Sequence, residues 1–81
     1  MTNIILTTHA INRAIERMSW TQEQLMYYAH ASTERGTYMM DNLQVRQRCL
    51  RYGEDYIAYK YRKAIFIFKE HTLITVYPWK S

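Results

Sequence analysis

The stretch Tyr56–Pro78, YIAYKYRKAIFIFKEHTLITVYP, decides the fold. Its β-branched and aromatic runs are punctuated by Arg62-Lys63 and Glu70-His71, which predicts three strands joined by two tight turns. Antiparallel partners point their side chains to the same face, so the turns assign the faces. With two-residue turns, Ala58 aligns with Ile67 and Ile74, and Lys60 aligns with Ile65 and Val76. One face then carries Ala58, Ile65, Ile67, Ile74 and Val76, which are small and aliphatic. The other carries Ile57, Tyr59, Tyr61, Phe66, Phe68, Leu73, Thr75 and Tyr77, and is rich in aromatics.

Upstream of this run, strand character begins near Val45, and Gly53-Glu54 reads as a further hairpin turn. A two-residue turn there adds Arg46, Arg48 and Leu50 to the aromatic face. Before that come two helices. Thr8 is the expected N-cap of the first, which runs to about Met18 with Ile11, Ala14, Ile15 and Met18 as its buried stripe. Thr21-Gln-Glu-Gln24 is a capping-box pattern that starts the second, to about Ala31, with Leu25, Tyr28 and Ala29 inward. Trp20, just before that cap, is placed to staple onto Leu25 or nearby apolar residues. The expected fold class is α+β, with two N-terminal helices packed on the aliphatic face of a four-stranded antiparallel meander sheet.

Eighty-one residues make a single domain, 1–81, built around one core. The lone cysteine, Cys49, excludes an internal disulfide framework and a cysteine-based zinc site. It reads as a small buried hydrophobe and suits a reducing, cytoplasmic setting. No apolar run approaches the ~20 residues of a membrane span, and no basic segment precedes the apolar patch at the N-terminus, so neither a membrane partner nor a signal peptide is expected. The formal charge is +4, and seven of the eleven basic residues are Arg, the residue suited to planar recognition of phosphate. Eight tyrosines supply contact area of the kind used at interfaces.

The aromatic face needs a cover. The 33–42 loop with Pro78-Trp79 could fold over it as a second small core. Alternatively it is a homodimer face or the contact surface for a protein partner. A third reading makes it an RNA-binding face, with bases stacked on aromatics and Arg on phosphate.

The helix residues His9, Arg13 and Arg17 fall at i, i+4, i+8, forming a ridge away from the apolar stripe. An imidazole at this position could act as general base or acid, with Arg13 holding a phosphate beside it. The plainer reading is a solvated helix face on which Arg13 and Arg17 pair with Glu16 or Glu34. His30 and His71 are isolated, and no metal-ligand spacing, phosphate loop or nucleophile motif is present, so no metal and no cofactor are expected. Metal-independent RNA cleavage remains compatible with this inventory. It needs a base for the 2′-OH, an acid for the leaving oxygen, and cations around the phosphorane.

The pattern T-x-H-A-x-x-R-x-x-E-R (Thr7, His9, Ala10, Arg13, Glu16, Arg17), a second capped helix, and strands ending in LITVY (Leu73 to Tyr77) resembles a family of small bacterial and phage proteins. These are related to the RelE/ParE-type toxin fold, within the barnase–EndoU–colicin–RelE group. The resemblance follows the order of elements along nearly the whole chain, and the helix motif is its specific part. It implies a helix pair on a curved antiparallel sheet. It also implies an RNA-binding protein of toxin–antitoxin type acting as a metal-independent endoribonuclease, with RNA as target and an antitoxin or host factor as protein partner. His9, Arg13 and Arg17 match the helix motif, and Thr75 and Tyr77 match the last strand. The candidate catalytic residues are therefore His9, Arg13, Arg17, Arg48 and Tyr77. The candidate RNA- or partner-binding residues are Arg46, Tyr59, Tyr61, Phe66, Phe68 and Thr75.

Overall fold

The structure is a computed structural model, and it describes residues 3–80. Strand β1 (Ile5–Leu6) leads into α1 (Thr8–Arg13), which continues as a π-helical turn over Ala14–Met18. Then come α2 (Gln22–Arg35), β2 (Thr37–Tyr38), α3 (Leu43–Tyr52), β3 (Tyr56–Tyr61), β4 (Ala64–Lys69) and β5 (Thr72–Pro78). The fold is α+β as expected. In detail it has three helices and a five-stranded mixed sheet of order β1-β5-β4-β3-β2, with β1 parallel to β5 and the other pairs antiparallel.

The largest departure from the sequence reading is α3. Residues from Val45 onward were expected to form a strand and instead form a helix. Asn42 caps its start by accepting from the Val45 N–H at 3.1 Å, and Gly53 ends it. Leu, Gln and Arg fill it, all good helix formers, and Val45 and Cys49 meet at i, i+4 on its buried side. Gly53-Glu54 is thus a helix terminus rather than a hairpin turn. The meander has three strands, and the further two of the sheet are the short β1 and β2 at its edges.

The two expected turns, Arg62-Lys63 and Glu70-His71, are present, and β3 and β4 pair in the expected register, with Ala58 opposite Ile67. Between β4 and β5 the register slips by one residue. Phe68 faces Leu73, but Ile67 faces Thr75, leaving Ile74 as a bulge. Beyond the bulge every β5 side chain changes face. Val76 joins Phe66 on the aromatic side, whereas Thr75 and Tyr77 cross to the aliphatic side beside Ile67 and Ile65.

The helices also exchange faces relative to expectation. Alpha-1, its π-helical turn and α2 pack on the aromatic face, where Ala10, Ala14, Leu25 and Ala29 meet Phe66, Phe68, Leu73 and Val76. Small helix residues opposite large rings let the layers interdigitate. Helix α3 packs on the aliphatic face, where Val45 and Cys49 meet Ala58, Ile65 and Ile67. The sheet is therefore covered on both sides, and the aromatic face is covered by helices rather than by the 33–42 loop. Trp20 stacks on Phe66, at 5.8 Å and 12°, instead of stapling only its own helix.

Thr7, not Thr8, is the N-cap of α1. Its Oγ1 accepts from the Ala10 N–H at 3.0 Å and lies 2.9 Å from the Leu73 carbonyl oxygen, tying the helix start to β5 at the bulge. Ala10 and Ala14, at i and i+4, are buried, whereas Ile15, within the π-helical turn, is exposed. Helix α2 runs beyond Ala31 to Arg35 with the expected capping box. It ends where Gly36 passes so close to β3 that a Cβ would lie 2.7 Å from the Lys60 carbonyl oxygen.

Candidate functional site

The bulge at Ile74 positions a cleft between β5 and α3. By sending Tyr77 to the α3 side, it sets that ring beside Arg48, which lies on the α3 flank nearest β5. Beta-1 pairs only with Thr72 and Leu73, so the outer edge of β5 beyond them is free of a strand partner. The π-helical turn lies along that edge and brings Arg17 round to the same place. After β5, the Trp79 N–H donates to the Lys63 carbonyl at 2.8 Å and fixes the path of the following residues. A cleft of about 390 Å³ results, lined by Arg17, Gln44, Val45, Arg48, Tyr77, Pro78, Trp79 and Lys80.

Three of the lining residues are cations and none is a carboxylate. Among the described residues the one ion pair is Arg13–Glu16 at 2.7 Å, away from the cleft, so no carboxylate neutralises Arg17 or Arg48. The Arg48 guanidinium lies 3.9 Å from the Tyr77 ring centroid, in stacking range for a cation–π contact. Lys60 Nζ is 5.7 Å from the Trp79 ring centroid. Burial pushes the Tyr77 phenol above its ordinary value, and the nearby Arg48 charge pulls it partly back. The ring therefore offers a neutral O–H at physiological pH. Burial likewise raises the Cys49 thiol, as expected of a small buried hydrophobe.

Helix α3 extends this surface. Gln44, Gln47, Arg48 and Arg51 fall at i, i+3, i+4, i+7 and line an adjoining hollow of about 220 Å³. The helix carries three Arg and no acidic residue, and its N-terminal turn, with Gln44 and Val45, faces the cleft. The helix dipole there adds to the positive potential.

Of the candidate catalytic residues, Arg17, Arg48 and Tyr77 come together in this cleft. His9 and Arg13 do not line it. His9 is exposed on α1, and Arg13 is held by Glu16, one of the two partners foreseen for it. Arg46 lies on a helix rather than a strand and is exposed on the other flank of α3 from Arg48. Phe66 and Phe68 are fully buried under α1 and α2 and are core residues. Thr75 is buried on the α3 side. Tyr59 is half-buried, edge-on to Phe68 at 6.0 Å, and Tyr61 is half-buried beside Tyr28. Sequence reasoning missed Gln44, Trp79 and Lys80. The available signal was the pair Asn42 and Gly53, which bracket ten residues as the caps of a helix.

Among the described residues, no helix is long and apolar enough to cross a membrane, and no three His, Cys, Asp or Glu side chains cluster as metal ligands. No family model, curated protein or solved structure matches this chain.

Proposed function

We propose that this chain is an RNA-binding protein that holds the sugar–phosphate backbone in the Arg17/Arg48/Lys80 cleft and stacks a base against Trp79. The observation that carries this reading is the Arg48–Tyr77 stack in a cationic cleft without a carboxylate. Guanidinium groups suit phosphate, and aromatic rings suit unpaired bases. The choice of RNA over DNA rests on the RelE/ParE-type resemblance.

Cleavage in the manner of a metal-independent endoribonuclease toxin is a further step. The cleft supplies cations for a phosphorane and a neutral phenol as proton donor. It supplies no general base, because arginine stays protonated and His9 lies outside it. Binding is therefore better supported than catalysis. Every reading that uses the aromatic face, as a homodimer interface, a host-factor interface or an RNA-binding surface, loses that surface, since it is filled by α1 and α2; the RNA-binding reading here rests on the cleft on the other face.

The test is fluorescence anisotropy of a labelled RNA oligonucleotide titrated with the protein at several salt concentrations, followed by electrophoresis of the RNA. Saturable binding that weakens with salt is expected. An unchanged anisotropy even at low salt overturns the proposal, and intact RNA after saturation restricts the protein to binding.

A further inference from the structure

The turn between β3 and β4 is built from residues that its backbone disfavours. Arg62 and Lys63 have φ of 51° and 59°, both in the left-handed region. Such a turn is normally Asn-Gly or Asp-Gly, because side chains with a full Cβ resist that conformation. In the other hairpin, only Glu70 is left-handed. Two long cations thus occupy the most strained turn of the fold, and retained strain of this kind marks positions where function sets the residue.

Their surroundings continue the chemistry of the cleft. Trp79, which lines the cleft, is hydrogen-bonded to the Lys63 carbonyl. On the far side of the turn, the Arg62 guanidinium lies 4.9 Å from the Tyr28 ring centroid. Tyr28 is 6.4 Å from Tyr61, and the Arg35 guanidinium is 6.0 Å from the Tyr61 ring. Cations and rings therefore alternate from the cleft on the α3 side, around the end of the sheet, to the C-terminal end of α2.

We propose that the Arg62-Lys63 turn and the Tyr28/Tyr61 rings behind it extend the cleft into a track for single-stranded RNA; this rests on the RNA-binding reading above. From β5 to β3 the track crosses two strand spacings of about 4.8 Å each. It also turns from one face of the sheet to the other. A single strand follows such a bend and offers unpaired bases to the rings. A stiff duplex, with stacked bases and a persistence length of ~150 base pairs for DNA, does neither.

The test replaces the turn with the residues its backbone prefers, Arg62→Asn with Lys63→Gly. Relief of strain raises Tm by several degrees. Binding of a uridine decanucleotide weakens several-fold, and the slope of log affinity against log salt falls by about 1.4, or ~0.7 for each cation removed. The fold is more stable, so the loss is not one of structure. If the variant binds with unchanged affinity and slope while Arg48→Ala weakens binding, the track is wrong and the cleft reading stands. If the wild type binds no RNA, both are wrong. Duplex RNA bound as tightly as the decanucleotide overturns the single-strand assignment.

Discussion

Arg48 comes from the middle of a helix and Tyr77 from the end of the last strand, yet the guanidinium sits 3.9 Å from the ring centroid. The contact joins the α3 layer to the sheet at the mouth of the cleft. It leaves Arg48 half-buried.

The first prediction concerns that guanidinium. Arg48→Lys keeps the charge but loses the stack and the forked donors, whereas Arg48→Ala loses all three. RNA affinity is expected to fall in the order wild type, Lys, Ala. The salt slope should drop by about 0.7 only in the alanine variant. Anisotropy titrations across salt concentrations measure both, and an alanine variant with the wild-type slope removes Arg48 from the interface.

The second concerns alkaline pH. Burial raises both the Cys49 thiol and the Tyr77 phenol, so the fold holds their protons more tightly than the unfolded chain does. Their contribution to stability is complete below the unfolded values, ~8.5 for Cys and ~10 for Tyr. It is lost as pH rises through those values toward the higher folded ones. Urea midpoints measured from about pH 7 to 11 should decline first above ~8.5 and more steeply above ~10. Cys49→Ala should flatten the first part of that decline and leave the second.

The third concerns the close approach of α2 to β3. A Cβ on Gly36 would stand 2.4 Å from the Ser32 carbonyl oxygen and 2.7 Å from that of Lys60. Both are backbone atoms and cannot rotate away. Gly36→Ala should destabilise by about 1–3 kcal/mol, although reduced chain entropy alone would favour it. An unchanged midpoint in urea means that the two elements part more easily than their packing implies.

The fourth separates core from interface. Phe66 is fully buried between the sheet and Trp20. Phe66→Ala should cost about 3–5 kcal/mol. The milder Phe66→Leu, studied well below its melting temperature, should bind RNA as the wild type does. Reduced affinity in the folded leucine variant contradicts the assignment of Phe66 to the core alone.

The β3–β4 hairpin was legible because its turn length fixes its register, and two of the three turns read from sequence, Arg62-Lys63 and Glu70-His71, are present, whereas Gly53-Glu54 is a helix end. The bulge at Ile74 was not, since any apolar residue can be the extra one and no glycine or polar residue marks it. That single residue sent Tyr77 into the cleft and Val76 into the core. Helix α3 was misread because the β-branched Val45 was given strand character and Gly53-Glu54 was read as a hairpin turn. Val45, Arg46, Gln47, Arg48 and Cys49 do not alternate apolar and polar; they place Val45 and Cys49 one helical turn apart, and the caps at Asn42 and Gly53 agree with that period. Arg17, Arg48 and Tyr77 were named as site residues for reasons of chemistry and family likeness. Their convergence depends on tertiary features that no local pattern reports.

The parallel pairing of β1 with β5 bears on when the cleft comes into being. Ile5 pairs with Thr72, and Thr7 reaches the Leu73 and Ile74 carbonyls across separations of 66 and 67 residues. Contacts so distant in sequence form late, after the local hairpins of β3, β4 and β5. Arg17 is carried to the cleft by the segment that this pairing anchors. As the chain emerges from the ribosome, its cations are not gathered until β5 is free to receive β1. A cleft assembled in this order concentrates its positive charge only once β1 and β5 have paired.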